Sequence, residues 1–124
     1  MEKQKFIYQA TVLDIHDGDT ITVTFDLGFK VTFQDKIRFY GINAPELRIR
    51  NENNKLVENP LGTKTLGVVK SFLKIGDIIL VETIKDKKEK YGRYLANIYV
   101  MLEGKQICLN DYLLNNGLAT EMKY

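Results

Sequence analysis

The sequence has little of the chemistry that soft metals and disulfides require. Its 124 residues include one cysteine, Cys108, and one histidine, His16. A lone cysteine excludes an internal disulfide and any multi-cysteine metal site, and a lone histidine excludes zinc sites built from several imidazoles. Any bound metal is therefore expected to be a hard cation held by oxygen. Cys108 stands between Ile107 and Leu109, which predicts a buried thiol that packs as a small hydrophobe.

Long apolar runs are also absent. No apolar run approaches the roughly 20 residues that span a bilayer. Met1–Phe6 lacks the apolar stretch of a signal peptide, so we expect that secretion is not encoded in the chain as given. The sequence does not indicate the cellular compartment. With 44% hydrophobic and 27% charged residues, the composition is typical of a soluble globular protein. We expect one domain over residues 1–124.

The net charge of +2 excludes a histone-like polycation. Basic residues gather in two stretches, Arg48–Lys55 and Lys85–Arg93. Each stretch is either a solvated loop or a contact surface for an anionic partner.

The segment from Tyr8 to Phe39 predicts a three-stranded antiparallel meander. Tyr8–Ile15 is rich in strand formers, and Asp17–Asp19 is a turn signal. Apolar residues then alternate with polar ones, which is the period of a half-buried strand. These apolar residues are Ile21, Val23 and Phe25 and, after a turn at Leu27–Gly28, Val31, Phe33, Ile37 and Phe39.

The remaining chain predicts a long polar loop, two helices and two further strands. The loop is Gly41–Pro60, and a charged turn is expected at Asp86–Gly92. The helices are Leu61–Leu73 and Cys108–Asn115, and Gly117 stops the second of them. The strands are Ile78–Ile84 and Leu95–Met101. The fold class is therefore mainly β with helices. We expect a five-stranded OB-type Greek-key barrel with one helix between strands three and four and a short C-terminal helix. Such barrels commonly bind oligonucleotides, although a fold alone does not establish a function.

Two carboxylate-bearing segments are candidates for a cation site. The first, Asp17–Thr20, can be an ordinary turn, because Asp-Gly pairs form turns for purely structural reasons. The second, Ile42–Glu46, follows the third predicted strand, whose end can lie close to the first turn of a meander. Asp19 and the segment Asn43–Glu46 would then face each other and offer oxygens to a hard cation such as Ca²⁺.

Two arginines are candidates for a phosphate site. Arg38 lies between apolar residues of a predicted strand, where an arginine either extends to solvent or points into a polar pocket. Arg93 stands at the entry to the fifth predicted strand. Two guanidinium groups aimed at one pocket suit a phosphate, because each can grip two oxygens in a planar fork.

Taken together, these motifs resemble the staphylococcal nuclease (thermonuclease) family. The matching pieces are Ile15–Thr20, Arg38 eight positions before Glu46, Lys90–Arg93 and Asn116–Ala119. They occur in the family's order and with its approximate spacing, across about residues 6 to 124. Each motif alone has modest specificity, but the four in register are specific.

The resemblance implies a five-stranded OB barrel and Ca²⁺-dependent cleavage of DNA and RNA, with a preference for single-stranded or frayed substrate. It implies that Asp19, Asn43 and Ala44 hold the metal and that Glu46 is the candidate general base that activates water. The expected partners are DNA and RNA, with no membrane partner, and the expected state is a monomer.

The same resemblance implies that Arg38 binds the phosphate and stabilises its charge, while Arg93 does so near the leaving group. Tyr91, with its neighbour Lys90, would contact a nucleotide phosphate. This division of labour suits phosphodiester hydrolysis, because positive charge must stand where negative charge develops.

The sequence departs from the family at two places. The second metal ligand is usually an aspartate, and here it is the neutral Asn43, so we expect Ca²⁺ affinity lower by about tenfold, or about 1.4 kcal/mol. The chain also stops at Tyr124, where the family usually adds a helix. Either this is a compact version of the fold or it is one domain of a longer protein.

Three functions are open on the sequence alone. The first is the active Ca²⁺-dependent nuclease. The second is a non-catalytic module of the same fold that binds nucleic acid or protein, which the neutral Asn43 favours. The third is a structural OB-like domain that binds sugars or protein and has no metal site.

Overall fold

The computed structural model describes residues 6–88 and 90–124, with the side chains of all of these except 85–87. The helices and strands of this part are, in chain order, β1 (Ile7–Asp17), β2 (Thr20–Asp26), β3 (Thr32–Phe39), β4 (Ile42–Asn43), β5 (Arg48–Arg50), β6 (Leu56–Glu58), α1 (Pro60–Phe72), β7 (Ile78–Lys88), β8 (Tyr94–Leu102), β9 (Lys105–Cys108), α2 (Leu109–Asn115) and β10 (Thr120–Glu121). None of the described helices combines the length and the apolar character that crossing a membrane requires.

Five strands close into a barrel, as predicted. Strands β3, β2, β1, β7 and β8 pair antiparallel in that order. The barrel closes where β3 pairs parallel with β8, with Ile37 opposite Tyr94 and Phe39 opposite Ala96. Helix α1 lies between the third and fourth barrel strands of the chain, which confirms the predicted order of elements.

The core confirms the period-2 pattern of the meander for β2 and for the end of β3, where Ile37 and Phe39 are fully buried. The pattern is wrong for Val31 and Phe33, which are 51% and 40% exposed, because Val31 lies in the turn before β3 and Phe33 lies near its start. Ile21, Val23 and Phe25 are all buried, with at most 4% of each residue exposed. Helix α1 adds Val69 to this core, and Leu73 at its end is also fully buried. Since apolar burial stabilises by about 25 cal/mol per Å², the inward faces of the barrel strands and of the helices are the main source of stability.

The predicted loop Gly41–Pro60 is wrong in part, because it contains β4 and the β5–β6 hairpin. The polar run at its centre is the turn of that hairpin. The side-chain Oδ1 of Asn51 accepts hydrogen bonds from the backbone N–H groups of Asn53 (2.9 Å) and Lys55 (3.0 Å). Asn54 adopts a left-handed conformation with φ 59°. Asparagines favour such turns because their side chains bond the nearby backbone.

Two further boundaries differ from the prediction. The charged turn predicted at Asp86–Gly92 begins later, because the backbone of β7 continues to Lys88, which pairs with Tyr94. The last helix begins at Leu109 rather than at Cys108, which is the half-buried end of β9. Burial raises the pKa of the Cys108 thiol above its ordinary value, but the residue is only half-buried, so the prediction of a buried thiol is wrong in part.

The end of α2 confirms the predicted role of Gly117. This glycine has φ 69°, which is the left-handed region that favours glycine. Its N–H donates to the carbonyl of Leu114 (3.2 Å), and the N–H of Leu118 donates to the carbonyl of Leu113 (2.9 Å). This is the Schellman pattern of helix ends, and it turns the chain toward the short strand β10, which pairs with β4.

Candidate active site

The turn between β1 and β2 is held against α1 by a close approach at Gly18. A Cβ atom on Gly18 would lie 2.8 Å from the Cβ of Ala44 and 2.8 Å from the Cγ2 of Thr65, so only glycine fits. The carbonyl of Asp19 accepts a hydrogen bond from the N–H of Phe39 (2.8 Å). The first turn therefore lies beside the end of β3, where the meander predicts it.

Arg38 links the two segments that were predicted to hold a cation. Its Nη1 lies 3.0 Å from Oδ2 of Asp19, and its Nη2 donates to the Oδ1 of Asn43 and to the carbonyl of Ile42 (3.3 Å). The Arg38 side chain is 11% exposed and that of Asp19 is 8% exposed. Of the two orientations open to Arg38, it adopts the one that points into a polar pocket. Removing either partner would leave a largely buried charge without compensation.

The Asp19 carboxylate is further held by the backbone. Its Oδ2 accepts a hydrogen bond from the N–H of Ala44 (2.9 Å), and its Oδ1 accepts one from the hydroxyl of Thr20 (3.1 Å). Asp17 accepts from the N–H of Asp19 (3.0 Å). Burial, and next a side-chain hydrogen bond with Asp19, raise the pKa of the Asp17 carboxyl.

Arg93 reaches the same region from the entry to β8. Its Nη1 donates to the hydroxyl of Thr20 (3.3 Å), next to Asp19. Its guanidinium carbon also lies 5.5 Å from the ring centre of Tyr91, and Nζ of Lys90 lies 5.0 Å from the same centre. Tyr91 is 71% exposed, so its ring holds two cations at the surface beside the site.

Glu46 is positioned through its backbone, while its side chain is exposed. The Glu46 carbonyl accepts a hydrogen bond from Nδ2 of Asn59 (2.8 Å). A Cβ atom on Gly62, in the first turn of α1, would lie 2.2 Å from the same carbonyl oxygen. The start of α1 therefore fixes the backbone at Glu46, from which the exposed side chain extends.

These side chains meet in two adjoining clefts. The first has a volume of about 470 Å³ and is lined by Asp19, Arg38, Asn43, Ala44, Glu46 and Arg93, together with His16, Asp17, Pro45 and Leu47. The second, of about 650 Å³, shares three of these residues and adds both predicted phosphate contacts from the turn before β8. It is lined by Arg38, Asn43, Arg93, Lys90, Tyr91, Leu95, Met122 and Tyr124. Every predicted site residue therefore lines at least one of the two clefts.

The oxygen atoms available in this cleft are of the kind that binds a hard cation, but the proposed ligands carry little negative charge. The available oxygens are the carboxylate of Asp19, the side-chain amide of Asn43 and, since alanine offers no other, the backbone carbonyl of Ala44. Oxygens of this kind are the ligands of Ca²⁺. Among the residues that the structure describes, no three of His, Cys, Asp and Glu form a metal-binding group. Arg38 also contacts the Asp19 and Asn43 oxygens directly, so a cation has to compete with it.

Sequence reasoning missed the residues that hold the site in place. Asn59 and Gly62 fix Glu46, and Thr65 donates to the carbonyl of Leu118 (2.6 Å) from a fully buried position. Glycine inside a helix costs up to about 1 kcal/mol, so Gly62 carries a signal of close packing. Thr65 carries no such signal, because its partners are distant in the sequence.

Arg48, Arg50 and Lys55 are exposed on the β5–β6 hairpin. Nη1 of Arg50 donates to the carbonyl of Asn54 (2.8 Å) within that hairpin. The lining of the two clefts, within the described part of the chain, includes none of these three cations. They stay open as substrate contacts or solvated charges.

Comparisons with known proteins show which proteins this chain resembles. The sequence model of the family described as "Staphylococcal nuclease homologue" matches residues 36–124. Endonuclease YhcR of Bacillus subtilis is 34% identical over 114 residues, which cover 90% of this chain and 9% of YhcR. Endonuclease YncB of the same organism is 32% identical over 118 residues, which cover 95% of this chain and 50% of YncB.

A third relative is an uncharacterized protein of Methanocaldococcus jannaschii. It is 32% identical over an alignment of 125 positions, which covers 90% of this chain and 58% of that protein. The chain thus spans between 9% and 58% of the length of these three relatives.

Proposed function

The chain belongs to the staphylococcal nuclease family, and from this premise we propose that it is a calcium-dependent nuclease that hydrolyses phosphodiester bonds of DNA and RNA and prefers single-stranded substrate. The observation that carries the proposal is the convergence of Asp19, Arg38, Glu46 and Arg93 on one cleft. A module that only binds a strand has no need of an exposed carboxylate in the same cleft as two arginines. We further propose that the chain acts as a monomer without a membrane partner.

Arg38 and Arg93 supply the positive charge that the reaction needs. A phosphodiester repels an incoming nucleophile, and negative charge grows on its oxygens as the nucleophile approaches. Arg38 would grip the phosphate oxygens with its planar fork, and Arg93 would stabilise the leaving oxygen. Arg38 would have to exchange its contact with Asp19 at 3.0 Å for the phosphate as the substrate binds.

Glu46 is the group best placed to accept a proton from water. Its carboxylate is exposed on the cleft wall, and its backbone is fixed by Asn59. General-base catalysis requires a carboxylate that can approach the attacking water within hydrogen-bond distance. An exposed carboxylate that lines the cleft supports this role, because its side chain is free to approach such a water.

Asp19, Asn43 and Ala44 would hold the calcium ion. Once bound, Ca²⁺ would supply Lewis acidity toward the phosphate and a template for water. The Asp19 oxygens are already oriented by the N–H of Ala44 and the hydroxyl of Thr20, so little side-chain order has to be gained on binding.

The rival proposal is a non-catalytic module of the same family that binds nucleic acid or protein. The contact of Arg38 with both Asp19 and Asn43 favours it, because the cation site is filled by a residue of the chain itself. The retained Glu46 favours the nuclease, since strand binding has no use for an added negative charge.

One gel assay separates the two proposals. Heat-denatured DNA is incubated with the protein plus Ca²⁺ or plus a chelator, with Glu46→Ser as the test variant and Glu52→Ser, an exposed glutamate of the hairpin turn, as the control. The nuclease proposal predicts Ca²⁺-dependent degradation that Glu46→Ser abolishes and Glu52→Ser retains. Retarded but intact DNA under all conditions would overturn it in favour of the binding module.

A further inference from the structure

A separate cleft with aromatic walls lies at the mouth of the barrel where β3 starts. Its volume is about 190 Å³, and it is lined by Tyr8, Phe25, Leu27, Phe33, Thr83 and Tyr94. None of these residues lines either cleft of the candidate active site among the described residues. The predicted nuclease reaction does not use them.

The aromatic rings of this cleft form a continuous series. Phe25 and Phe33 are stacked with ring centres 6.3 Å apart, and Phe33 meets Tyr94 edge to face at 6.0 Å. These contacts hold the rings in fixed positions, as is usual for paired aromatic side chains. Phe33 is nevertheless 40% exposed, so the cleft presents a rigid aromatic wall to solvent.

A cation stands at the rim of this aromatic cleft. Nζ of Lys88 lies 5.2 Å from the ring centre of Tyr94, and an ion pair with Asp35 at 3.4 Å keeps it there. The Lys88 side chain is 49% exposed. An aromatic wall with a cation beside it suits a nucleotide, because the ring can stack on a base while the cation faces the charged backbone.

The aromatic cleft is joined to the candidate active site through the start of β8. Tyr94 directly follows Arg93, and consecutive Cα atoms are about 3.8 Å apart. Tyr94 also pairs with Ile37, the neighbour of Arg38. Phe33 nevertheless lies five residues before Arg38 on β3, which is about 16 Å of strand, so a substrate would have to extend beyond the nucleotides held at the phosphodiester site to reach the cleft.

We propose that this aromatic cleft binds one unpaired base of the substrate strand, beyond the nucleotides held at the cleavage site. The proposal rests on the proposed nuclease function and adds a place where the strand is gripped. Stacking on an aromatic ring accepts every base, since each has a π face. A base in a duplex cannot enter, so the cleft would favour single-stranded substrate.

The test replaces single bases of an oligonucleotide by abasic sites, one position at a time, around a unique cleavable bond. The variants are Phe33→Ala and the conservative Phe33→Leu, which keeps an apolar side chain but removes the π face. The control is Phe29→Ala, because Phe29 lies on the same hairpin, is 100% exposed and does not line the cleft. Melting curves check that each variant is folded.

In the wild type, one abasic position should raise KM about fivefold or more and leave kcat nearly unchanged. A fivefold change corresponds to about 1 kcal/mol, which is the lower end of the range for stacking of a base on an aromatic side chain. Phe33→Leu should bind the intact strand as weakly as the wild type binds that abasic strand, and it should be insensitive to the abasic site. Phe29→Ala should behave as the wild type. If no abasic position has an effect that depends on Phe33, the proposal is wrong.

Binding in the presence of chelator separates this proposal from that of the nuclease function. Fluorescence anisotropy of the same labelled oligonucleotides measures Kd without cleavage. A protein that cleaves no strand but loses affinity for the abasic strand, in a way that depends on Phe33, refutes the nuclease function and supports the cleft. A protein that cleaves but shows no such dependence retains the nuclease function and refutes the cleft.

Discussion

Replacing Asn43 with aspartate should tighten Ca²⁺ binding about tenfold. Asn43 is exposed, lines the candidate active site and shares Arg38 with Asp19. The substitution keeps the size of the side chain and changes an amide into a carboxylate. It adds one negative charge to a donor set that has a single fully charged ligand.

The magnitude follows from Coulomb's law. Two unit charges 4 Å apart attract by about 1 kcal/mol in water and about 4 kcal/mol at an effective dielectric constant of 20. Because Asn43 is exposed, the lower value applies, and a divalent ion doubles it to about 2 kcal/mol. The new carboxylate also attracts Arg38, which offsets part of the gain. A net gain of about 1.4 kcal/mol corresponds to the tenfold change in Kd.

Calorimetric titration with Ca²⁺ measures this change directly. Asn53→Asp is the matched control, because it adds the same charge at an exposed turn of the β5–β6 hairpin. Asn43→Asp should lower Kd about tenfold, and Asn53→Asp should leave it within about twofold, since exposed charges farther apart than about 10 Å are screened. Equal Kd values for the wild type and Asn43→Asp would refute the view that the cation site lacks charge.

Four further substitutions test the packing around the site and its contact with the substrate. Gly67→Ala should stabilise α1 by up to about 1 kcal/mol, because a Cβ there meets nothing within 4 Å. Gly62→Ala should lower the free energy of unfolding by about 1–3 kcal/mol and slow cleavage, because its Cβ would lie 2.2 Å from the Glu46 carbonyl oxygen. Equal urea denaturation midpoints for the two variants would contradict this expectation. Asn110→Ala should lower the free energy of unfolding by about 2–4 kcal/mol in urea titrations, because three hydrogen bonds of a side chain that is 1% exposed are lost. A loss below about 1 kcal/mol would contradict this expectation. Tyr91 is 71% exposed beside the site, and Tyr91→Ala should raise KM for single-stranded DNA about tenfold in steady-state assays, because the expected hydrogen bond from its hydroxyl to a nucleotide phosphate, worth about 1.5 kcal/mol, is lost. An unchanged KM would exclude Tyr91 from substrate binding.

The barrel is predictable from sequence because its pattern is local. The alternation of Ile21, Val23 and Phe25 predicts β2 without knowledge of its neighbours, and all three residues are buried. The short strands β4 and β10 carry no such pattern. They exist because Thr120 and Asn43 meet as partners, 77 positions apart in the chain, and a two-residue strand has no period to detect.

The candidate site is predictable in its members but not in its contacts. Motifs in family register identify Asp19, Arg38, Glu46 and Arg93, and all of them line one cleft. The ion pair of Arg38 with Asp19 joins a strand end to a turn, so it depends on the tertiary fold. The role of Gly62 likewise depends on a carbonyl 16 positions earlier in the chain.

In the proposed mechanism, the guanidinium fork of Arg38 stabilises the negative charge that develops on the phosphate during hydrolysis. The most direct test is the rate of Ca²⁺-dependent cleavage of single-stranded DNA by folded Arg38→Lys protein at saturating substrate and Ca²⁺, with Arg50→Lys on the exposed hairpin as the control. Lysine keeps the charge but loses the bidentate grip, so Arg38→Lys should lower kcat on the order of 10³-fold, and Arg50→Lys should keep it within about twofold. A folded Arg38→Lys protein that cleaves at a near-normal rate would contradict the claim.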